Sequence, residues 1–290
     1  MKIAYICYEV QERYVVGTTG DEDTELLQFL QGKGLDIHRE IWTDQTVNWQ
    51  QYELAILKSP WDYIDKIDAF YSWLQVLESY QIRLLNPAGI VKWNSDKHYL
   101  KDIAAAGLPV TPTAFLERGT TVALSPFFDQ FNTNRLIVKP CVSGGSKNTF
   151  AITRPQVADL QPKIQTLVQT ESFLVQPFIP EIETAGEWSL LFFNGKFSHS
   201  LLKKPKAGDF KVQHYLGGSI HPQEATAQQI TSAVAFVTAF AKDCLYARVD
   251  GVMVDGQFLL MELELIEPLL YLFTHPESYQ DYFEALVSLM

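Results

Sequence analysis

Short apolar runs alternate with amphipathic stretches along the N-terminal third of the chain. Runs rich in β-branched and aromatic residues predict strands, whereas apolar residues spaced three and four apart predict helices. The predicted strands lie at 2–8, 35–42, 52–58 and 82–85, and the predicted helices at 21–30 and 66–80. Because strands and helices alternate, we expect a parallel sheet with helices packed on it.

The rest of the chain mixes helices with pairs of strands joined by tight turns. Asn194-Gly195 and Asp255-Gly256 are residue pairs suited to the positive φ angles of type I′ hairpin turns. Strands are predicted at 136–140, 149–153 and 172–179, strand pairs at 187–202 and 248–266, and helices at 95–106, 155–169 and 224–244. The fold class predicted for the whole chain is therefore α/β (α+β).

Acidic and apolar residues alternate at the end of the second hairpin. Glu262 and Glu264 are two residues apart, which places both carboxylates on one face of a strand. Asp250 lies on the preceding strand, and closure of the hairpin brings it towards Glu262. Grouped carboxylates repel one another unless cations compensate, and their hard oxygens suit Mg²⁺. The same alternation is typical of any half-exposed antiparallel strand, so the hairpin alone leaves both interpretations open.

A lysine followed by a glycine-rich turn stands at the end of one predicted strand. Lys139 precedes Ser143-Gly144-Gly145-Ser146, and the segment is predicted to form a flexible hairpin flap. Backbone N–H groups of such a turn can hold phosphate oxygens, while the lysine supplies positive charge. This segment therefore predicts a phosphate site.

Two further groups of lysines point to an anionic ligand. Lys97 is predicted in the first turn of a helix, where the helix dipole disfavours a cation unless an anion binds nearby. Residues 203–211 form a loop with four lysines in a chain whose net charge is −11. We expect this loop to meet an anionic ligand, with a merely solvated loop as the alternative.

The composition, net charge and cysteine spacing of the chain limit the classes of function that it can have. With 47% hydrophobic and 20% charged residues among 290, the chain is predicted to be globular. Its acidic net charge disfavours sequence-independent binding to nucleic acid, which requires a basic surface. No apolar run reaches the roughly 18 residues of a membrane span, and no signal peptide is predicted. Cys7, Cys141 and Cys244 lack CxxC spacing, which predicts reduced thiols in a cytoplasmic protein.

The order and spacing of these groups resemble the ATP-grasp superfamily over nearly the whole chain. The similarity is to its glutathione-synthetase-like ligases, and within them to the branch that contains the D-cycloserine-forming ligase. The residues that carry the closer resemblance are Ser59–Tyr63, Asn86-Pro87, Trp93–Lys97, Gly186-Glu187, Ser198-His199 and Glu262–Pro268.

The resemblance implies an ATP-grasp fold with an N-terminal parallel α/β domain. Residues 1–92 would form this substrate-side domain. Residues 93–180 would form the first ATP-grasp lobe, with the phosphate lysines and the glycine-rich loop. Residues 181–290 would form the second lobe, with the magnesium and substrate site.

The resemblance also implies a role for individual residues. Lysines and the glycine-rich loop would bind the ATP phosphates, and a hinge segment would receive adenine. The implied ATP-binding residues are Lys97, Lys139, Ser143, Gly144, Gly145, Ser146, Gln176, Pro177, Phe178 and Ile179. The implied Mg²⁺ ligands are Asp250, Glu262 and Glu264, where the family commonly has Asn in place of Glu264. The implied catalytic cations, near the γ-phosphate or the substrate carboxylate, are Lys139, Lys204, Lys211 and Arg248.

The function implied is that of an ATP-dependent carboxylate–amine ligase, which forms an amide through an acyl phosphate on a small amino-acid-like substrate. Its partners would be a small-molecule carboxylate and amine, with no nucleic acid and no membrane. The alternatives are a non-catalytic ATP-binding regulatory protein, and an ATP-grasp kinase or carboxylase. The resemblance leaves open whether the amide closes a ring or joins two molecules, whether His199 transfers protons, and whether the protein is a homodimer.

Overall fold

Three β-sheets follow one another along the chain in a computed structural model that describes residues 1–9, 21–206 and 217–290. The first sheet consists of β1 (Lys2–Cys7), β2 (Asp36–Ile41), β3 (Leu54–Ser59) and β4 (Arg83–Leu85), with helices α1 (Glu22–Gly32) and α2 (Ile67–Ser79). Its strand order is β2-β1-β3-β4, and all neighbouring strands are parallel. The predicted N-terminal parallel α/β arrangement is confirmed.

The second sheet is antiparallel. Its strands are β5 (Ala114–Leu116), β6 (Arg135–Pro140), β7 (Phe150–Thr153) and β8 (Phe173–Pro177), and the helices of this region are α3 (Ala88–Asn94), α4 (Tyr99–Ala105), α5 (Ser125–Gln130) and α6 (Val157–Val168). The order is β5-β8-β6-β7, so the loop from β6 to β7 joins neighbouring strands. This loop contains the predicted glycine-rich turn.

The third sheet carries the acidic hairpin. Its strands are β9 (Glu187–Phe193), β10 (Lys196–Lys204), β11 (Ser219–Pro222), β12 (Tyr246–Val254) and β13 (Gln257–Glu264), accompanied by α7 (Glu181–Thr184), α8 (Ala227–Phe240) and α9 (Ser278–Leu289). The order is β11-β10-β9-β12-β13. Each sheet lies within one of the ranges 1–92, 93–180 and 181–290, whose boundaries stay a prediction.

Both predicted hairpin turns are confirmed. Asn194 and Gly195 have φ angles of 44° and 75°, and Asp255 and Gly256 have φ angles of 48° and 79°. Positive φ at both central residues is the conformation of a type I′ turn. The turns therefore set the β9–β10 and β12–β13 pairings.

The helix predicted at 95–106 is confirmed over Tyr99–Ala105, but the placement of Lys97 in its first turn is wrong. Helix α3 ends at Asn94 and helix α4 begins at Tyr99, so Lys97 lies between two helices. Its backbone N–H donates to the carbonyl of Cys141, which ties this turn to the end of β6. At the end of α3, the Asn94 side chain bonds the backbone of β13 and its neighbour, at Leu263 and Leu265.

Strand β13 is the last strand of its sheet, and groups from outside the sheet form hydrogen bonds with its outer backbone edge. Leu260 pairs with Pro109 and Thr111 through backbone hydrogen bonds, and Leu263 N–H donates to the Tyr99 hydroxyl at 3.0 Å. Covering an edge strand satisfies its backbone groups and fixes its position. These contacts hold the acidic hairpin against residues of the predicted first lobe. Among the described residues, no helix has the length and apolar character to cross a membrane.

Candidate active site

Three carboxylates lie on the paired strands of the β12–β13 hairpin. Asp250 lies opposite Glu262 in the ladder, and Arg248 lies opposite Glu264. Leu263 is buried between the two glutamates, so Glu262 and Glu264 share the other face of β13. The predicted approach of Asp250 to Glu262 and the shared face of the two glutamates are confirmed. The oxygens of the three carboxylates do not all lie within 4.8 Å of one another, and their role as metal ligands stays a prediction.

Buried cations compensate two of the carboxylates. Arg248 contacts Asp250 at 3.0 Å and also pairs with Glu264, while Lys203 lies 3.2 Å from Asp250 and 2.6 Å from Glu187. Burial raises the pKa of Asp250, but the charges of Arg248 and Lys203 outweigh it and hold that pKa below its ordinary value. Asp250 is therefore ionised at neutral pH.

Glu262 has a different cationic neighbour. Lys97 Nζ lies 3.2 Å from Glu262 Oε1 and donates to the carbonyl oxygen of Ser143 at 2.6 Å. Burial raises the pKa of Glu262, but Lys97 and then Lys139 outweigh it and lower the pKa. Lys97 thus connects the acidic strand to the glycine-rich turn.

Two further glutamates hold protons more strongly. Burial raises the pKa of Glu264 to about 7 against the opposing charge of Arg248. Burial and the charge of Glu264 raise the pKa of Glu267 to about 8. Glu267 was not predicted as a site residue, although it lies in the Glu262–Pro268 sequence that carries the resemblance. A bound cation would favour the ionised form of both groups.

Lys139 is a half-buried cation at the end of β6. Burial lowers the pKa of its ammonium group, with Glu262 opposing the shift. Within residues 1–9, 21–206 and 217–290, no ion pair or hydrogen bond satisfies its Nζ. A desolvated ammonium without a partner is disfavoured unless an anion binds it. Its position fits the predicted contact with phosphate.

The glycine-rich turn is tied to its surroundings on both sides. Ser143 donates to the Pro140 carbonyl at 2.9 Å, and Gly145 and Ser146 have positive φ angles of 58° and 60°. A Cβ built on Gly144 would lie 3.6 Å from Ile64 of the N-terminal domain. The structure therefore brings Ser143–Ser146 between Lys97 and the N-terminal domain.

The predicted hinge borders a cavity of about 640 Å³. Pro177, Phe178 and Ile179 line it from the hinge, and Val254 and Leu259 line it from the β12–β13 hairpin. Gln176 is not among the residues that line the cavity. It is buried, and its side-chain amide donates to the Thr113 hydroxyl at 2.9 Å. Three of the four predicted hinge residues therefore face a space bounded by both lobes.

The structure does not bring Lys204 into the acidic group. Lys204 is exposed, whereas its neighbour Lys203 is buried opposite Glu187. Sequence reasoning missed Lys203 and Glu187 as partners because β10 has a register shift between Phe197 and His199. Lys211 lies outside the described residues, so its predicted role stays a prediction.

His199 has its ring nitrogens engaged within the protein. Its Nε2 is 3.0 Å from the Leu270 carbonyl and its Nδ1 is 3.0 Å from the Ser198 hydroxyl. Burial lowers the pKa of His199 to about 4. A neutral ring bonded in this way orients the chain near Leu270, which favours the packing interpretation over proton transfer.

Comparison with protein families gives two matches. The model described as "Prokaryotic glutathione synthetase, ATP-grasp domain" matches residues 109–268. The model described as "D-cycloserine synthetase DcsG, N-terminal domain" matches residues 3–86. Together the matches include all three sheets.

Individual relatives agree with these matches. The chain is 29% identical to the cycloserine biosynthesis protein DcsG of Streptomyces lavendulae over 251 residues, which is 80% of this chain and 81% of that protein. A crystal structure of D-cycloserine synthetase DcsG superposes with a TM-score of 0.87 at 25% identity, covering both chains completely. D-alanine–D-alanine ligase from Bacillus anthracis complexed with ATP shares the fold, with a TM-score of 0.73 at 15% identity over 100% of this chain and 97% of that one.

Proposed function

This chain belongs to the prokaryotic glutathione synthetase ATP-grasp family, and we propose that it activates a small-molecule carboxylate as an acyl phosphate. It is an ATP-dependent, amide-forming ligase that acts on small amino-acid-like substrates. The observation that carries the proposal is Lys139, which has no ion-pair or hydrogen-bond partner among the described residues and whose charge acts on Glu262. A cation of this kind near carboxylates suits a phosphate group and the Mg²⁺ that accompanies it.

ATP would lie between the two lobes. Lys97 and Lys139 contact the phosphates, and the turn Ser143–Ser146 covers them. Lys97 then exchanges its bond to the Ser143 carbonyl for a phosphate oxygen, which frees the turn to close. Adenine occupies the cavity beside Pro177, Phe178 and Ile179, which supplies apolar contact from the hinge. Gln176 supports the hinge through Thr113.

Asp250, Glu262 and Glu264 would hold Mg²⁺, because their oxygens are hard ligands. Among the described residues, five carboxyl groups and four cations lie in this region. The acids are Glu187, Asp250, Glu262, Glu264 and Glu267, and the cations are Lys97, Lys139, Lys203 and Arg248. Bound Mg²⁺ would neutralise phosphate charge that the side chains alone leave uncompensated.

The side chains of this chain bind and orient the reactants. A carboxylate oxygen attacks the γ-phosphorus, ADP leaves, and Lys139 stabilises the charge on the transferring group. Arg248 contacts the carboxylate, and the second predicted cation is Lys211, which lies outside the described residues. An amine then attacks the acyl carbon, loses a proton, and displaces inorganic phosphate. The closed Ser143–Ser146 turn excludes water, which would hydrolyse the acyl phosphate.

We further propose that the carboxylate and the amine belong to one small molecule, so that the amide closes a ring. The relatives named for D-cycloserine support this proposal. Ring closure gives a product whose mass is that of the substrate less one water. Joining two molecules gives a product whose mass is their sum less one water.

An acid-dependence assay tests the proposal. The protein is incubated with ATP, Mg²⁺ and a panel of D- and L-amino acids and their O-substituted serine analogues, and ADP, phosphate and product mass are measured. We expect ADP and phosphate only with the matching acid, and a hydroxamate when hydroxylamine is added. Glu262→Gln should abolish release, because it removes a carboxylate from the proposed magnesium site.

The two alternative functions give different results in the same assay. A non-catalytic binder releases no ADP with any acid. A kinase releases ADP with a stable phosphorylated product and no free phosphate. Either result would contradict the ligase proposal.

A further inference from the structure

Tyr271 has an unusual backbone conformation close to the acidic group. Its φ and ψ angles are 52° and 36°, in the left-handed region that side-chain-bearing residues seldom adopt. This position is occupied by tyrosine, although glycine or asparagine would adopt the same backbone conformation with less strain. Conformations of this kind persist where the surroundings impose them, and they are frequent at functional sites.

Hydrogen bonds hold the chain on both sides of Tyr271. The carboxylate of Glu22 accepts from the backbone N–H groups of Leu270 and Leu272, both at 2.9 Å. The Leu270 carbonyl lies 3.0 Å from His199 Nε2, and Arg248 donates to the Leu269 carbonyl at 3.0 Å. The segment is therefore held by helix α1 of the N-terminal domain and by the third sheet at once.

Glu22 is itself fixed within the N-terminal domain. It is 4% exposed at the start of α1, and Lys58 Nζ, from the end of β3, lies 3.0 Å from its Oε1. Lys58 also pairs with Asp23 at 2.9 Å. An ion pair buried to this extent is costly unless its geometry is complete, and the two backbone donors complete it.

The side chain of Tyr271 is directed towards the reaction cations. Its ring lies 5.6 Å from the Arg248 guanidinium carbon. Burial raises the pKa of the phenol, Arg248 and Lys203 oppose the shift, and Asp250 adds to it. The residue is 7% exposed, and its hydroxyl makes no hydrogen bond to another described residue. The phenol is thus a neutral donor that has no acceptor among the described residues.

We propose that the Tyr271 hydroxyl donates a hydrogen bond to the substrate carboxylate beside Arg248, and that Glu22 is a positioning residue that sets Tyr271 for this contact. The inference rests on the proposed function and extends it by a specificity residue. The left-handed backbone directs the ring over Arg248. The two hydrogen bonds that the Glu22 carboxylate accepts maintain that backbone conformation. The alternative is that Tyr271 only packs on Arg248, in which case its hydroxyl has no role.

Removal of one oxygen separates these interpretations. Tyr271→Phe keeps the ring and the contact with Arg248 but removes the donor. The probe is the panel acid that gives the fastest ADP release with the parent protein. We expect the KM for this acid to rise by about 10- to 100-fold, as for loss of a hydrogen bond to a charged group, with the KM for ATP within about twofold. An unchanged KM for the acid would overturn the proposal.

Two further variants complete this comparison. Tyr279→Phe removes a hydroxyl that donates to Glu25 at 2.9 Å on the exposed side of α1, and it should leave both KM values unchanged. Glu22→Gln has one acceptor oxygen for the two N–H groups, so it should raise the KM for the acid and spare the KM for ATP. Equal loss of kcat and of ATP affinity in Glu22→Gln would mark a general structural role instead.

A second measurement needs no substrate and separates failure of this inference from failure of the proposed function. The protein is labelled with 3-fluorotyrosine, and Tyr271→Phe identifies the ¹⁹F resonance of residue 271. Addition of Mg²⁺ and a non-hydrolysable ATP analogue should shift this resonance, because the γ-phosphate enters beside it, and should leave that of Tyr279 in place. If residue 271 did not respond although the analogue bound, Tyr271 would be excluded from the site. If it responded but no acid released ADP, the ligase proposal alone would fail.

Discussion

At the scale of single residues, the site combines groups that the sequence identifies with groups that it does not. Lys139, Asp250 and Glu262 could be predicted because a strand end, a turn and a two-residue spacing place them. Lys203 could not be predicted, because its orientation depends on a register shift within β10 that no residue pattern indicates. Glu267 follows β13 in an irregular segment, so no periodicity indicates its direction.

The Lys139 ammonium, which has no partner in the part of the chain that the structure describes, leads to a prediction about ATP affinity. Lys139→Met should weaken ATP binding by about 10- to 150-fold, the loss of a charge-assisted hydrogen bond worth about 1.5–3 kcal/mol. Lys33→Met is the matched control, because Lys33 lies over the ring of Phe29 on an exposed part of the first domain. Isothermal titration calorimetry with ATP and Mg²⁺ compares the two. Equal affinities would remove Lys139 from the phosphate site.

The raised pKa of Glu267 leads to a prediction about pH. The folded-state pKa of about 8 lies above the ordinary value of a glutamate in an unfolded chain, about 4.3. The protonated carboxyl therefore stabilises the folded state at low pH, and this contribution is lost as the pH rises through about 8. Between about pH 5 and pH 8, where the folded state binds a proton that the unfolded chain has lost, the Tm of the ligand-free protein should fall more steeply than the Tm of Glu267→Gln. Parallel curves would show that Glu267 ionises normally.

At the scale of elements, the β12–β13 hairpin could be predicted with its turn, its pairing and the face of its acids. The turn pair Asp255-Gly256 determines where the ladder begins, and the alternation determines which face carries charge. The supports of β13 could not be predicted, because they come from distant segments of the chain. Asn94, at the end of α3, bonds Leu263 and Leu265 through its side chain.

The support from Tyr99 can be tested by one substitution. Tyr99 is 3% exposed, and its hydroxyl accepts from the Leu263 N–H between Glu262 and Glu264. Tyr99→Phe leaves that buried N–H without an acceptor, which should cost about 1–3 kcal/mol of unfolding free energy. Urea denaturation measures the loss, with Tyr80→Phe as a control at a residue that is 44% exposed. A loss no greater than in the control would show that the hydroxyl does not support β13.

At the scale of the whole molecule, the alternation of strands and helices predicts the first sheet, and the family resemblance predicts the ATP-grasp fold. Contacts between the sheets depend on side chains that no pattern distinguishes. Asn86 follows β4 of the first sheet and is fully buried. Its amide donates to the carbonyls of Tyr246 and Leu265 and accepts from the N–H of Leu245 at 2.7 Å.

Asn86 should therefore contribute strongly to the stability of the molecule. Asn86→Ala leaves several buried backbone groups without partners, and we expect a loss of at least about 3 kcal/mol at about 1–3 kcal/mol for each. Asn48→Ala is the control, since Asn48 is exposed and its side chain caps no helix end. Thermal and urea unfolding should agree. A small loss in Asn86→Ala would mean that the first and third sheets are held together by other contacts.

The central claim is that ATP activates a carboxylate of the substrate, and transfer of oxygen isotope tests it most directly. The acid that supports ADP release is prepared with ¹⁸O in both carboxylate oxygens, and the phosphate formed during turnover is analysed by mass spectrometry. An acyl phosphate that is broken at its carbonyl carbon leaves one substrate oxygen on phosphorus. We predict one ¹⁸O atom in each inorganic phosphate, and ADP as the nucleotide product. Label in AMP, or unlabelled phosphate accompanying amide formation, would contradict the account.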